Sequence, residues 1–214
     1  LPLIDIDPLS GAVTNAPAIR GGAAASTMPA SADPAYIFFT SGTTGVPKAV
    51  LGWHRGLSHF LDWQRSEFGV GPGDRSSQLT GLSFDVVLRE IFLPLTSGAT
   101  LCLRPVAEAE DVSADRLLPW MDRARISILH TVPTLAESWL ADVPTGVTLA
   151  SLRRVFFAGE PLSGLLVRRW RRAFPGAAEI INLYGPTETT LAKCFFRVPI
   201  DCAPGIQPVG RPLP

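Results

Sequence analysis

The feature that most restricts how this chain can fold is a regular exchange between two kinds of segment. Short β-branched or aromatic runs alternate with stretches of about ten residues whose apolar positions have helical spacing. Residues 76–80, 100–103, 126–129, 152–157 and 179–183 read as strands, and residues 86–96, 113–124, 133–140 and 163–174 between them read as helices. The helix over 86–96 is expected to turn Val87, Ile91 and Leu95 to one face, and the helix over 133–140 has Pro133 in its first turn, where a missing N–H is tolerated. Strands separated by helices of this length are joined as crossovers. The expected fold class is therefore α/β, a mostly parallel sheet flanked by helices, with ligands beyond the carboxyl ends of the strands. No internal repeat is visible.

Ahead of this alternation, residues 35–39 form an apolar run that reads as a buried strand, residues 49–53 as a second strand, and residues 54–68 as a helix with Leu57, Phe60, Leu61 and Phe68 on its apolar face. His54 and His59 on that helix suit solvated or capping roles better than ligand roles. Residues 1–34, rich in Pro, Ala, Gly and Ser, read as a connector and preceding segment with room for one short strand.

A length of 214 residues suits one large domain or two small lobes. Apolar residues at 46%, charged residues at 18% and a net charge of zero give a globular composition with no overall pull toward nucleic acid or membrane. Cys102, Cys194 and Cys202 form no CxxC pair, so reduced thiols and a cytoplasmic location are expected rather than a disulfide framework or a zinc site. No run of 18 apolar residues and no signal peptide is seen.

Between the first two strands lie Thr40, Ser41, Gly42, Thr43, Thr44, Gly45, Val46, Pro47 and Lys48. A glycine-containing loop of this kind can turn backbone N–H groups onto phosphate oxygens, with hydroxyls and one ammonium completing the cradle. Lys48 and Lys193 are the only lysines, which makes a lysine in this loop less accidental. The spacing is not that of a Walker loop, which places Lys directly after the second Gly, nor that of a dinucleotide GxGxxG loop. Read alone, the same composition also describes an ordinary surface turn.

Three further segments fall at expected strand exits: LSFDVVLRE, FFAGEPL and NLYGPTETT. In the last, Tyr184 offers a flat ring for a base, Gly185 and Pro186 a tight turn, and Glu188 a hard oxygen donor of the kind Mg²⁺ takes beside phosphates. Thr187, Glu188 and Thr190 would equally cap a short helix.

Taken together these segments resemble the adenylate-forming (AMP-binding) superfamily, whose phosphate loop reads TSGTTGxPKG. The match holds through Lys48 and departs at Ala49, where the family has Gly. The resemblance implies ATP and Mg²⁺ as cofactors. Thr40, Ser41, Gly42, Thr43, Thr44, Gly45 and Lys48 would hold the phosphates, Tyr184 and Gly185 the adenine, and Asn182 the base or substrate carboxylate. Thr187 would reach the α-phosphate and Glu188 the metal, so Lys48, Thr187 and Glu188 form the expected catalytic set. Gly159, Glu160 and Pro161, with Ala158, match the strand exit that lines the adenine, although Glu160 also reads as an exposed loop carboxylate.

Phe84 and Asp85 followed by Glu90 are similar to the FDxxxxE pattern of amino-acid adenylation domains in nonribosomal peptide synthetases, in which the aspartate takes the substrate ammonium. A carboxylate in an apolar frame needs such a cation. The competing role for Asp85 is the N-cap of the following helix. The resemblance puts the substrate pocket on Asp85, Val86, Arg89, His130, Phe156, Ala158, Leu183, Leu191 and Ala192. Arg89 and His130 are the polar exceptions in that set, which suggests a polar or acidic amino-acid side chain, unless Arg89 points outward or pairs with Glu90 or a pocket-lining acid and leaves an aliphatic cavity. The implied partners are the amino acid, a carrier domain bearing phosphopantetheine and neighbouring synthetase domains. The implied chemistry is ATP-dependent activation as aminoacyl-AMP. The resemblance covers 35–214; the family's later motifs and small C-terminal lobe are not seen, so weak or no adenylation by the chain alone is expected. An acyl- or aryl-CoA ligase of the same superfamily, disfavoured by Asp85 and Pro186, and a non-catalytic binding module are the alternatives.

Overall fold

A computed structural model describes residues 28–41, 46–105, 111–176 and 178–214. The connector reading of residues 1–27, and the phosphate-loop assignments of Gly42, Thr43, Thr44 and Gly45, lie outside the described residues. Strands β1 (Pro34–Thr40) and β2 (Lys48–Trp53) form a two-stranded antiparallel sheet. The other strands are β3 (Arg75–Ser77), β4 (Thr100–Cys102), β5 (Ile128–Thr131), β6 (Arg154–Phe157), β7 (Glu179–Tyr184), β8 (Cys194–Arg197) and β9 (Arg211–Pro212). They make one seven-stranded sheet in the order β4-β3-β5-β6-β7-β8-β9. The first five positions are parallel, β8 pairs antiparallel with β7 and β9 antiparallel with β8, so the expected mostly parallel sheet is the one observed.

Helices α1 (His54–Phe68) and α2 (Val86–Ser97) pack on one face of the sheet, and α3 (Ala114–Arg123), α4 (Pro133–Trp139) and α5 (Gly164–Ala173) on the other. Both faces are buried, so β5, β6 and β7 run mostly apolar through their middles, with the alternation surviving as a sorting between cores and with His130, Thr131 and Asn182 as buried polar steps toward their carboxyl ends. Ile128, Phe156 and Ile181 join the α1/α2 core around Phe60, Trp63 and Phe68; Leu129, Val155, Phe157 and Ile180 join the α3–α5 core around Trp139 and Trp170. Burial of a large apolar side chain contributes about 1.5–3 kcal/mol each, so these two layers fix strand register.

Three details differ from the sequence reading. Residues 35–39 are not a buried strand: only Phe38 of them is buried, while Ile37 and Phe39 are 58% and 66% exposed. A two-stranded hairpin outside the main sheet covers one side chain face only, here through Tyr36 and Phe38, whose rings lie 5.5 Å apart. On α2 the buried arc holds Val87, Leu88, Arg89, Glu90 and Leu93, and Leu95 is exposed. The polar pair occupies the inner arc, so an apolar count set the stripe off by a step. Strand β3 ends at Ser77 rather than at Thr80: the Gln78 N–H still bonds the Cys102 carbonyl of β4, but the N–H groups of Leu79 and Thr80 then bond a side chain of α2 instead of a neighbouring strand.

Candidate active site

Sheet order gives the site its place. From β3 the chain moves outward to β4 and then crosses back to β5 on the other side of β3, so a crevice opens at the carboxyl ends of β3 and β5, where the winding reverses. A cavity of about 520 Å³ lies there, walled by Thr80 after β3, Asp85 and Arg89 at α2, His130 on β5, Ala158 after β6 and Leu191 after β7. A second cavity of about 430 Å³ is lined by Pro161, Asn182, Leu183 and Tyr184, and the two share Gly159, Glu160, Gly185 and Pro186 as a common rim.

The inner wall is held by tertiary contacts. Asp85 stands at the N-cap position of α2 with helical backbone angles and makes no capping hydrogen bond, so the capping role expected as its competitor is absent. Its carboxylate is half-buried and lines the cavity. Arg89 is 1% exposed, lines the same cavity and pairs with no carboxylate among the described residues; its Nε is buried without a partner. Burial pulls the guanidinium down to about 10, against the raising influence of Glu90 and Asp85, which leaves it cationic at neutral pH.

Glu90 does not pair with Arg89. Its carboxylate accepts from the backbone N–H of Leu79 (3.3 Å) and Thr80 (3.0 Å) and from the Thr80 hydroxyl (3.0 Å), pinning the exit of β3 to α2. Burial nevertheless lifts it to about 7, with these hydrogen bonds and Arg89 pulling the other way. His130 is 1% exposed and its ring stacks on Phe156 at 4.9 Å and 17°. Burial, and secondarily Arg89, hold it well below the usual imidazole range, so it is neutral. Its Nε2 lies 3.0 Å from the Gln64 amide nitrogen of α1.

Of the residues expected in the substrate pocket, Asp85, Val86, Arg89, His130, Ala158 and Leu191 line the cavity. Phe156, Leu183 and Ala192 do not line it. Phe156 sits beneath the His130 ring, Leu183 faces the second cavity, and Ala192 packs behind Gly185, where an added Cβ would come within 2.6 Å of the Ala192 Cα. Only glycine permits that approach, and it lets the chain turn at the rim.

The outer cavity is built from turns. Gly159 adopts a φ of 85° at the exit of β6. Tyr184 is 56% exposed, its ring free to take a planar partner. Thr187 lines the inner cavity, and Glu188 beside it is exposed on a single 3₁₀ turn, Thr187–Thr189. Thr190 and Leu191 then follow with φ of 67° and 63°, a left-handed pair of non-glycine residues of the kind that persists only where surrounding structure holds it. The Tyr36 hydroxyl meets Thr190 Oγ1 at 3.3 Å, which fastens the hairpin to this turn. Asn182 donates to the Pro208 carbonyl at 2.9 Å, so its amide supports the wall of the outer cavity. Glu160 accepts from the Thr134 N–H (2.8 Å) and hydroxyl (2.5 Å) at the start of α4; it is engaged rather than a free loop carboxylate. Thr40 and Lys48 face each other across the hairpin register, with Ser41 next along, and none of the three lines either cavity.

Glu90's anchoring role and Gln64 were not singled out from sequence. Gln64 had a signal: it falls between Phe60 and Phe68 at i and i+4 spacing, a polar residue on an apolar stripe, fully buried. Among the described residues no group of three metal-ligating side chains occurs, and no helix is long and apolar enough to cross a membrane. All three cysteines are free.

Residues 4–214 match the family model described as AMP-binding enzyme. Among curated relatives, the chain is 37% identical over 198 residues to tyrocidine synthase 3 of Brevibacillus parabrevis, covering 91% of this chain and 3% of that protein. It is 39% identical over 189 residues to the isonitrile lipopeptide synthase of Streptomyces coeruleorubidus, covering 85% and 12%. Among solved structures it is similar to the Vibrio cholerae adenylation domain AlmE in complex with glycyl-adenosine-5'-phosphate, at a TM-score of 0.77 and 31% identity, covering 86% of this chain and 34% of that one. The nonribosomal peptide synthetase FmoA3 matches at a TM-score of 0.75 and 31% identity, covering 86% and 19%. The chain thus spans a small part of the curated relatives it matches.

Proposed function

Because the chain belongs to the AMP-binding enzyme family, we propose that it forms the amino-acid pocket and part of the ATP site of a nonribosomal peptide synthetase adenylation domain, and that its substrate is an amino acid with a polar or acidic side chain. The observation that carries this reading is the common rim of the two cavities: an inner chamber with an uncapped aspartate opens directly onto an outer groove with an exposed tyrosine ring. Asp85 binds the substrate ammonium, which offsets the cost of keeping a carboxylate in an apolar wall. The substrate carboxylate is thereby aimed toward the rim at Gly159 and Gly185, and the adenine stacks on Tyr184 in the outer groove.

In the reaction an oxygen of the amino-acid carboxylate forms a bond to the α-phosphorus of ATP while the bond to the bridging oxygen of pyrophosphate breaks, giving aminoacyl-AMP and pyrophosphate. Two anions must be brought together, so the work of the protein is positional and electrostatic. Thr187, lining the chamber, donates to the α-phosphate, and Lys48 with the hydroxyls of Thr40 and Ser41 neutralises the phosphate chain. Glu188, an exposed carboxylate, would hold Mg²⁺, which takes one or two carboxylates plus phosphate oxygens and would supply charge neutralisation there. The thiol of a phosphopantetheine on a carrier domain then takes the acyl group as a thioester, the acyl–phosphate bond breaks and AMP leaves.

The test is amino-acid-dependent ATP–pyrophosphate exchange by the full-length protein that carries this sequence, with Asp85→Ala and Lys48→Ala as controls. Each substitution is expected to lower exchange by about 100-fold, the scale of a lost charge-assisted contact or transition-state donor. Exchange driven only by carboxylic acids without an amino group, unchanged in Asp85→Ala, would move the protein to the acyl-CoA ligase branch.

A further inference from the structure

The inner cavity contains more polarity than an ammonium needs. Arg89 is a buried cation with no ion pair among the described residues and a buried Nε without a partner. Glu90, its sequence neighbour, lies about 100° around the helix and is occupied by the 79–80 backbone and the Thr80 hydroxyl. A guanidinium in such a setting is strongly destabilising unless an anion reaches it, and its planar fork suits a carboxylate.

His130 adds a second donor. The Gln64 amide meets His130 Nε2 at 3.0 Å; with its nitrogen as the donor, as placed here, Nε2 of the neutral ring accepts and the N–H sits on Nδ1. That Nδ1 is buried and has no partner. Of the ionisable groups lining the cavity, Glu160 is engaged by Thr134 and Asp85 is assigned to the substrate ammonium, so among the described residues that line the cavity no anion remains for Arg89.

We infer that Arg89, with His130 held as an Nδ1–H donor by Gln64, forms the receptor for a side-chain carboxylate, so that the amino acid activated is acidic. This rests on the reading of the cavity as an amino-acid site and narrows it. An amide or hydroxyl side chain would satisfy hydrogen bonds and leave the guanidinium charge uncompensated; an aliphatic one would leave both unmet. Gln64 is a positioning residue: it touches His130 and lines no part of the cavity.

The experiment is exchange by the full-length protein across the proteinogenic amino acids. Aspartate or glutamate is expected to exceed its own amide by at least about tenfold in kcat/KM, the equivalent of one uncompensated contact, and to exceed leucine and valine by about 100-fold. Arg89→Leu should abolish that preference and Arg89→Lys should keep part of it. Gln64→Leu should raise KM for the acidic substrate about tenfold with kcat nearly unchanged, an effect that loss of packing alone would not confine to acidic substrates. If Arg89→Leu does not fold, the wild-type panel with Arg89→Lys and Gln64→Leu still decides. A wild-type preference for any neutral amino acid, lost on Asp85→Ala, overturns this inference and leaves the adenylation reading standing. Exchange with no amino acid at all overturns that reading and the inference with it.

Discussion

The two cavities that meet at Gly159 and Gly185 are built on opposite plans. The inner one is made by side chains held at long range: Glu90 on α2 pins Leu79 and Thr80, Gln64 on α1 meets His130 on β5, and Phe156 on β6 stacks beneath that ring. The outer one is made by backbone: a positive-φ glycine, a glycine turn that admits no Cβ, and a short 3₁₀ turn ending in a left-handed pair. Buried ionised or neutral polar groups are expensive unless paired, so the inner chamber is sensitive to single side chains and free to differ between proteins of one fold. Turn geometry serves any nucleotide in the same way. On the proposed reading, the contrast separates the part of the groove that chooses a substrate from the part that handles ATP.

The inner plan breaks most severely at Glu90. Replacing it by alanine leaves the N–H groups of Leu79 and Thr80 without their acceptor and removes the stronger of the two carboxylate influences on Arg89, which should destabilise the protein by about 3 kcal/mol in denaturant unfolding. The same residue sets a pH dependence. Its folded value, about 7, lies above the ordinary 4.5, so the fold binds its proton more tightly than the unfolded chain does. Stability from this group is complete below about pH 4.5 and is lost as pH rises to about 7, by at most about 3 kcal/mol at roughly 1.4 kcal/mol per unit. Thermal unfolding across that window should slope downward in the wild type and flatten in Glu90→Gln; an equal slope in both would remove the buried carboxylate as its source.

The outer plan was the more legible from sequence, for the same physical reason that makes it robust. Turn chemistry is local, so AGEP and YGPTE could be read as glycine and proline punctuation at strand exits, and the helix expected over 54–68 is the helix found. The sheet was legible because β5, β6 and β7 each carry apolar residues to both cores. What stayed hidden depends on partners distant in sequence. Gln64 and His130 lie 66 residues apart, and nothing near either one announces the pair. Residues 35–39 misled for a related reason: an apolar run looks buried whether it joins a sheet or forms a hairpin with one face open, and only the tertiary neighbours of Ile37 and Phe39 tell these apart.

Tyr184→Ala tests the independence of the two cavities at intermediate size. Loss of a stacking ring should raise KM for ATP about tenfold, given that such a platform is worth roughly 1–3 kcal/mol per base. The ranking of amino acids should not move, because Tyr184 lines only the outer cavity. A changed ranking would mean that the cavities are coupled and the contrast between them is wrong.

The smallest expected effect lies on the shared rim. Glu160 borders both cavities, yet its carboxylate is directed at the first turn of α4 through the Thr134 N–H and hydroxyl. If the rim belongs to the fold rather than to the chemistry, Glu160→Gln should cost about 1 kcal/mol or less of stability, since the amide oxygen still accepts from Thr134. It should leave the KM values of ATP and amino acid within about twofold, a difference of roughly 0.4 kcal/mol. Glu160→Ala, which removes the acceptor altogether, should cost about 1 kcal/mol more while still sparing both KM values. A rise in KM for ATP alone in Glu160→Gln, with stability unchanged, would show that the carboxylate leaves Thr134 when nucleotide enters and that the rim is part of the outer site after all.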